Sequence, residues 1–110
     1  MHFSTFNVAI GVALGLMAPP ATAQVTPQQM QLLVNNCLQC HAAENTSAPL
    51  MGDKQAWQAR LQKGRNQILR NTVEGINGMP PMGYCSACTE QDLNALIDLM
   101  LAPALEESND

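Results

Sequence analysis

Aromatic side chains are scarce in this 110-residue chain, which contains one tryptophan, one tyrosine and two phenylalanines. Both phenylalanines, Phe3 and Phe6, lie at the N-terminus, so the remainder has only Trp57 and Tyr84. A domain this small buries little apolar surface and usually needs a disulfide, a metal or a prosthetic group to be stable. We therefore expect the polypeptide to fold poorly unless a bound group supplies its centre.

Basic residues are also few, with five against nine acidic ones and a formal net charge of −4. The acidic tail from Glu90 onward contains no basic residue. A nucleic-acid-binding protein would carry a basic surplus, so this class of function is excluded. The basic residues all lie in one middle stretch, which is either ordinary solvated helix surface or a patch that faces acidic groups: Lys54, Arg60, Lys63, Arg65 and Arg70.

No long apolar run is present, and the apolar segment Val8–Met17 is too short to span a bilayer. The residues that follow it end in Ala21-Thr22-Ala23, which resembles a signal-peptidase site. We predict that residues 1–23 are a signal peptide and that the mature protein is periplasmic in a bacterium. Because no Lys or Arg precedes the apolar run, an uncleaved N-terminal anchor remains an alternative.

The most informative segment is Cys37-Leu38-Gln39-Cys40-His41. Two cysteines three positions apart, followed at once by histidine, have the spacing for covalent attachment of c-type haem. Each thiol adds to one haem vinyl group, and the imidazole then binds the iron as an axial ligand. A thioredoxin-like pair would be expected beside a βαβ pattern, which the sequence lacks. A zinc site that also uses Cys85 and Cys88 remains a minor alternative.

A methionine is expected as the second axial ligand, because histidine and methionine together are the cytochrome c arrangement. The segment Gly75–Gly83 cannot be helix or central strand, since its prolines remove amide donors and its glycines permit unusual dihedral angles. Within it, we favour Met79 over Met82 because a glycine before it and prolines after it fix its backbone. Met51 is a weaker candidate. Two further methionines lie on helical stripes and are predicted to pack in the core: Met30 and Met100.

A second cysteine pair, Cys85 and Cys88, is followed by Thr89 and so offers no histidine to a second haem. In an oxidising periplasm, these cysteines are predicted to form a disulfide. We interpret this disulfide as a structural clip between the methionine loop and the last helix, in preference to a redox site. Its small ring predicts only modest stabilisation.

Four short helices are predicted. Thr26, Pro27 and Gln29 form a helix start with a capping box, and apolar residues at helical spacing then lead to Cys37. The apolar face of this first helix is predicted to comprise Met30, Leu33, Val34 and Cys37.

The other three helices follow the same start and stop signals. Asp53 is expected to cap a helix that Gly64 ends. Asn66 is expected to cap another helix, whose inward-facing residues are predicted to be Ile68, Leu69, Thr72 and Val73. Thr89 is expected to cap the last helix, which Pro103 would end. We predict an all-α domain over residues 24–104 and an acidic flexible tail over residues 105–110.

Together these segments resemble a class I c-type cytochrome, specifically the bacterial cytochrome c5 type. The residues that carry the resemblance, besides the first helix and the closing helix, are Cys37-x-x-Cys40-His41, Ala48-Pro49, Trp57 with Arg60, Gly64, Gly78-Met79-Pro80-Pro81 and Cys85-x-x-Cys88. It covers nearly all of the mature chain. The position before Gly83 is Met82, where relatives often carry a basic residue.

The resemblance implies a small cytochrome fold of about four helices around one covalently bound haem. Cys37 and Cys40 would hold the haem, with His41 and Met79 as axial ligands of its iron. The carbonyl of Pro49 would accept a hydrogen bond from the other imidazole nitrogen of His41. Trp57 and Arg60 would lie near a haem propionate. Cys85 and Cys88 would form the family's disulfide.

The predicted function is transfer of single electrons, without catalysis, by a monomer. Iron with both axial positions filled by protein side chains has no open position for a substrate. Redox partners would dock transiently at the exposed haem edge, with membranes involved only through such partners or an uncleaved signal. The rival hypotheses are a haem subunit of a larger periplasmic oxidoreductase, a gas-binding haem sensor and a dithiol enzyme that uses Cys85 and Cys88.

Overall fold

The computed structural model describes residues 1–2, 8–17 and 24–106. Residues 8–17 contain no helix or strand, and their side chains are exposed. The predicted signal-peptidase site at Ala21–Ala23 and the end of the predicted tail lie outside the described residues. Within the described ranges, no helix is long and apolar enough to cross a membrane.

The described chain is helical, as predicted, and its only β-type pairing is an isolated bridge between Ile76 and Met79. The prediction of an all-α fold is therefore confirmed. The elements in chain order are α1 (Pro27–Leu32), a π-helical segment (Leu33–Cys37), α2 (Leu38–His41), α3 (Lys54–Leu61), α4 (Arg65–Glu74), a 3₁₀ turn (Pro81–Tyr84) and α5 (Glu90–Glu106).

Helix α1 begins as predicted, with a capping box. The hydroxyl of Thr26 accepts a hydrogen bond from the Gln29 amide at 3.1 Å, and the Gln29 side chain accepts one from the Thr26 amide at 3.0 Å. Two amides that a helix start leaves without partners are thereby satisfied. Helix α3 also begins as predicted, because the Asp53 carboxylate accepts from the Ala56 amide at 3.1 Å.

Between α1 and α2 the backbone widens into one π-helical turn, Leu33–Cys37. The amide of Leu38 bonds to the carbonyl of Leu33, five residues back. Side-chain amides also donate to carbonyls here: Asn36 to Leu32 at 3.0 Å and Gln39 to Val34 at 3.3 Å. Single π turns often occur at functional sites. This one delivers the first cysteine pair.

Helix α5 supplies most of the buried apolar surface and packs against α1, α3 and α4. The least exposed of its residues are Leu93, Leu96 and Leu101, and Leu33 and Cys85 pack with them in the same core. Side-chain contacts join α1 and α4 to α5. Gln29 donates to Asp92 at 3.1 Å, and Arg65 pairs with Asp98 at 2.8 Å.

Several local predictions were wrong. Helix α5 runs through Pro103 to Glu106, so Pro103 does not end it. Proline has no amide to bond four residues back, so α5 loses one hydrogen bond in its last turn, and the Pro103 ring lies close to Gly52. Helix α4 begins at Arg65 after Gly64, so Asn66 is inside the helix.

Apolar residues at three helical positions are also more exposed than the sequence pattern predicted. Met30 is 43% exposed and therefore does not pack in the core, whereas Met100 is buried as predicted. The other two, Val34 and Val73, are 44% and 39% exposed.

Candidate functional site

No disulfide joins the first cysteine pair. Cys37 ends the π-helical segment and is half-buried, and Cys40 lies exposed on α2. On a helix, side chains three positions apart have Cβ atoms about 5–6 Å apart, whereas a disulfide requires about 3.5–4.5 Å. Burial raises the pKa of the Cys37 thiol, and a backbone hydrogen bond partly offsets this shift.

His41 ends α2 as a buried imidazole, with only 7% of the residue exposed. Its Nδ1 lies 2.7 Å from the carbonyl oxygen of Pro49. Because a carbonyl can only accept, Nδ1 carries the proton and donates to it. In the neutral ring this leaves Nε2 with a free lone pair, which is the atom that can bind a metal.

Trp57 holds the turn behind His41. Its indole Nε1 donates to the carbonyl of Leu50 at 2.8 Å, and its ring stacks on the His41 imidazole with centroids 5.9 Å apart. The Arg60 guanidinium lies 5.9 Å from the Trp57 ring centroid. The turn is also tied to α2, because the Met51 amide donates to the His41 carbonyl at 2.8 Å. The imidazole orientation is thus fixed by contacts to Pro49 and Trp57.

The backbone of Met79, the candidate for the second axial ligand, is fixed by reciprocal hydrogen bonds with Ile76. The Met79 amide donates to the Ile76 carbonyl at 2.9 Å, and the Ile76 amide donates to the Met79 carbonyl at 3.1 Å. Asn77, in the turn between them, has φ 51°. This turn holds Met79 more rigidly than an unpaired loop would.

Two glycines make room for Met79. A Cβ at Gly75, which has φ +82°, would lie 2.8 Å from the Met79 carbonyl oxygen and 2.9 Å from the Pro81 nitrogen. A Cβ at Gly83 would lie 3.3 Å from Cε of Met79. Only glycine therefore allows the end of α4 to approach this loop so closely. The sequence indicated the glycines' conformational freedom but not these contacts, which join segments that the sequence pattern does not pair.

Met82 differs from Met79 in its surroundings. The Met82 side chain packs against the buried core, and its backbone is left-handed with φ 62°. The Met79 side chain is half-buried and lies over Gly83. The thioether of Met82 is thus engaged in core packing, which favours Met79 as the sulfur that faces a ligand. Met51 lies with His41 along an open groove of about 540 Å³ beside α5.

The second cysteine pair forms a disulfide, Cys85–Cys88, with Cα atoms 5.4 Å apart. Both residues are buried in the core. Backbone hydrogen bonds join the pair to the loop, because the Cys85 amide donates to the Met82 carbonyl at 3.0 Å. Thr89, next in the chain, begins α5. With its sulfurs bonded to each other, this pair cannot supply zinc ligands. No group of three or more metal-binding side chains occurs among residues 1–2, 8–17 and 24–106.

The donor set fits a haem attached through two thioethers. Two unpaired thiols lie one helical turn apart, and the imidazole after them presents Nε2. A thioether is held in a separate rigid loop, and His41 and Met79 border different grooves rather than touching each other. Met30 and Val34 are apolar side chains that remain exposed. Both lie on the turns before Cys37. A large apolar group would cover such surface.

Comparisons with known proteins identify the same kind of molecule. The sequence profile of a family described as cytochrome C oxidase, cbb3-type, subunit III matches residues 24–100. A cytochrome c5 from Ectopseudomonas mendocina is 38% identical over 71 residues, which covers 63% of this chain and 82% of that protein. A cytochrome c5 from Azotobacter vinelandii is 36% identical over 66 residues, which covers 58% of this chain and 80% of that protein.

A solved structure is also similar. It is described as an electron transfer complex of nitrite reductase with cytochrome c. The matching chain is 36% identical, with a TM-score of 0.63. The match covers 74% of the present chain and 99% of the other.

Proposed function

Because this chain belongs to the class I c-type cytochromes of the cytochrome c5 type and carries a covalently attached haem c, we propose that it is a periplasmic carrier of single electrons with His41 and Met79 as axial ligands. The observation that carries this proposal is the His41 imidazole, buried and oriented by Pro49 so that Nε2 is free. Met79, fixed by Ile76, supplies the second ligand.

Cys37 and Cys40 hold the haem through thioether bonds. The haem supplies an iron that cycles between the ferrous and ferric states. His41 and Met79 would both bind the iron and leave no position for a substrate, so the protein would carry electrons and perform no catalysis. Methionine opposite histidine raises the reduction potential relative to other axial ligands.

The remaining residues of the site orient these ligands. The Pro49 carbonyl fixes the tautomer and raises the basicity of the His41 imidazole. Trp57 and Arg60 lie on the His41 side of the site and are proposed to reach a haem propionate. The Cys85–Cys88 disulfide follows the Met79 loop and holds it to the start of α5.

A periplasmic location is supported by the disulfide, since disulfides persist in oxidising compartments. In this proposal residues 1–23 are a signal peptide and the mature protein is a monomer. The solved relative in complex with nitrite reductase supports a redox enzyme as the kind of partner. Docking with such a partner is expected to be weak and to bury a small interface.

Two substitutions test the ligand assignment. Ferric haem bound by a thioether has a weak red charge-transfer band, and Met79→Ala should abolish it and lower the reduction potential. Met82→Ala is the matched control, since it removes the neighbouring methionine and should leave the band in place. Persistence of the band in Met79→Ala would refute Met79 as the ligand, and loss of the band in Met82→Ala only would assign the ligand to Met82.

A second candidate is a haem subunit of a larger oxidoreductase. It is favoured by the matching family profile, whose description names an oxidase subunit. The free carrier is preferred because the present chain covers 82% of a curated cytochrome c5 and nearly all of a solved cytochrome c chain. Gel filtration of native periplasmic extract distinguishes the two, because a free carrier elutes near the mass of the single chain.

A further inference from the structure

The π turn Leu33–Cys37 leads directly into the attachment segment, which comprises residues 37–41. We propose that the side-chain amides of Asn36 and Gln39 stabilise this turn, and that the turn rotates the attachment segment so that His41, and not Cys40, faces the core. Asn36 and Gln39 would thereby be positioning residues for the axial ligand. The inference rests on the proposed function, since it concerns how that ligand is directed towards the iron.

The rotation follows from helix geometry. In an α-helix, residues seven positions apart differ by about 20° around the axis, and residues eight positions apart differ by about 80°. If the first helix were α-helical throughout, Cys40 would therefore lie on the same face as Leu33, and His41 would be turned away from that face. The extra residue of a π turn moves His41 into the angular position that Cys40 would otherwise occupy.

The burial of these side chains agrees with this rotation. Leu33 is 1% exposed and His41 is 7% exposed, so both lie on the inner face of the helix. Leu38, five positions after Leu33, also packs against the core. Cys40 is exposed. The π turn thus gives adjacent residues of one motif different surroundings, with the imidazole inside and the second thiol outside.

Gln39 compensates for a backbone hydrogen bond that the π turn changes. The Leu38 amide donates to the Leu33 carbonyl, five residues back. In an α-helix this amide would donate to the carbonyl of Val34 instead. The Gln39 side chain donates to the Val34 carbonyl at 3.3 Å. The carbonyl that the π turn deprives of its usual partner is therefore satisfied by a side chain of the attachment segment.

Asn36 acts in the same way one turn earlier. Its side-chain amide donates at 3.0 Å to the carbonyl of Leu32, which in an α-helix would accept from the Asn36 backbone amide. The π turn also packs against the 3₁₀ turn Pro81–Tyr84, which follows Met79 in the chain. A change in the rotation of the attachment segment would therefore disturb the Met79 loop as well as His41.

A one-residue deletion separates this rotation from general helix stability. The variant Asn36→Ala, Gln39→Ala removes both side-chain amides and keeps the chain length, and alanine favours α-helical geometry. Deletion of Asn35 in the same variant makes the helix one residue shorter. An uninterrupted α-helix then places His41 seven positions after Leu33, which is the same face.

Two measurements are made on each haem-loaded protein. In the ferrous protein, NMR couplings across hydrogen bonds identify the carbonyl that accepts from the Leu38 amide. In the ferric protein, titration with imidazole measures how readily an external ligand displaces the thioether, as reported by the red charge-transfer band. The matched control is Gln31→Ala, Asn35→Ala, since these two exposed side-chain amides on the same helix bond to each other at 2.8 Å.

In the wild type we expect the Leu38 amide to couple to the Leu33 carbonyl. In Asn36→Ala, Gln39→Ala this coupling should weaken, and imidazole should displace the thioether at about tenfold lower concentration, the order expected for the loss of two hydrogen bonds. Deletion of Asn35 in this variant should restore the imidazole midpoint to within about twofold of wild type, and the control should remain within the same range.

Coupling of the Leu38 amide to Val34 in the wild type would overturn the inference. So would an unchanged imidazole midpoint in Asn36→Ala, Gln39→Ala, an equal decrease in the control, or a deletion that does not restore the midpoint. A wild-type ferric protein without the red band would instead refute the ligand assignment of the proposed function, and the Leu38 coupling would still test the turn. The two failures are therefore distinguishable.

Discussion

The two Cys-x-x-Cys segments have the same spacing and different chemistry. Cys37 and Cys40 are not bonded to each other, whereas Cys85 and Cys88 form a disulfide with Cα atoms 5.4 Å apart. The first pair lies on helical backbone at the end of a π turn. The second lies in a turn, with Cys85 at φ −80° and ψ 75°. The backbone conformation, and not the spacing, determines whether the two sulfurs can meet.

The residues around each pair differ accordingly. The first pair is followed by His41, a buried side chain whose Nδ1 is occupied by Pro49. The second is followed by Thr89, which begins α5 with its own capping box to Asp92. In the proposed function, the first pair holds a cofactor, whereas the disulfide of the second pair holds two parts of the chain together. The two regions also touch, because Gln29 of the first capping box donates to Asp92 of the second at 3.1 Å.

The largest expected effect comes from removing the first pair. Replacement of Cys37 and Cys40 together by serine should abolish covalent haem attachment completely, because no thiol remains to add to the vinyl groups. Replacement of Cys85 and Cys88 together by alanine should leave attachment intact. Mass spectrometry of the exported proteins after acid extraction of free haem measures the difference. A haem-containing mass for the first variant would show that the two pairs do not differ in the proposed way.

Replacement of Gly75 is expected to disturb the Met79 loop more than removal of the disulfide does. Gly75→Ala introduces a Cβ 2.8 Å from the Met79 carbonyl oxygen at φ +82°, and should destabilise the protein by about 3 kcal/mol through strain and overlap. It should also weaken the red band. Gly78→Ala is the matched control, because a Cβ at Gly78 has no heavy atom within 4 Å. Denaturant unfolding of both haem-loaded variants tests this. Equal stability of the Gly75→Ala and Gly78→Ala proteins would show that the Met79 loop adjusts to the added Cβ.

Removal of the disulfide should have a smaller effect. Closure of so short a ring is worth about 2 kcal/mol in the chain-entropy account, so the Cys85→Ala, Cys88→Ala protein should unfold at moderately lower denaturant concentration. Its red band should persist, since Ile76 and Gly75 still fix Met79. Visible spectra and unfolding curves of the same samples measure both properties. Loss of the red band in the Cys85→Ala, Cys88→Ala protein would show that the disulfide helps to position the Met79 ligand.

The sequence predicted most of the local chemistry but little of the packing. The capping box at Thr26 and the cap at Asp53 were predicted correctly, because caps involve residues three positions apart. The π turn was missed, because one added residue in a helix does not disturb an apolar pattern read over seven positions. Pro103 was misread as a helix end, because a proline in a helical pattern marks a probable boundary and not a certain one, and α5 continues beyond it to Glu106.

The same limit applies to the site. The motif Cys37–His41 identified the attachment chemistry because its meaning lies entirely in adjacent residues. The role of Gly75 could not be read in this way, since it depends on where α4 ends relative to the Met79 loop. The exposure of Val34 and Val73 likewise depends on the tertiary arrangement and not on the helical pattern.

The smallest expected effect concerns Asp92, where the two regions meet. Hydrogen bonds from the Thr89 amide, the Gln29 side chain and the Thr89 hydroxyl lower the pKa of its carboxyl below the ordinary value of 3.8. A carboxyl whose pKa is lower in the folded state contributes stability above its unfolded pKa, and this contribution is lost as the pH falls through the folded pKa. Asp92→Asn should therefore weaken stability at pH 7 and much less at pH 2–3. Haem ligands that titrate in acid do so in both proteins, so the difference between variant and wild type isolates Asp92. Denaturant unfolding at the two pH values measures it, and a difference that does not shrink in acid would show that the contact between the two capping boxes does not depend on charge.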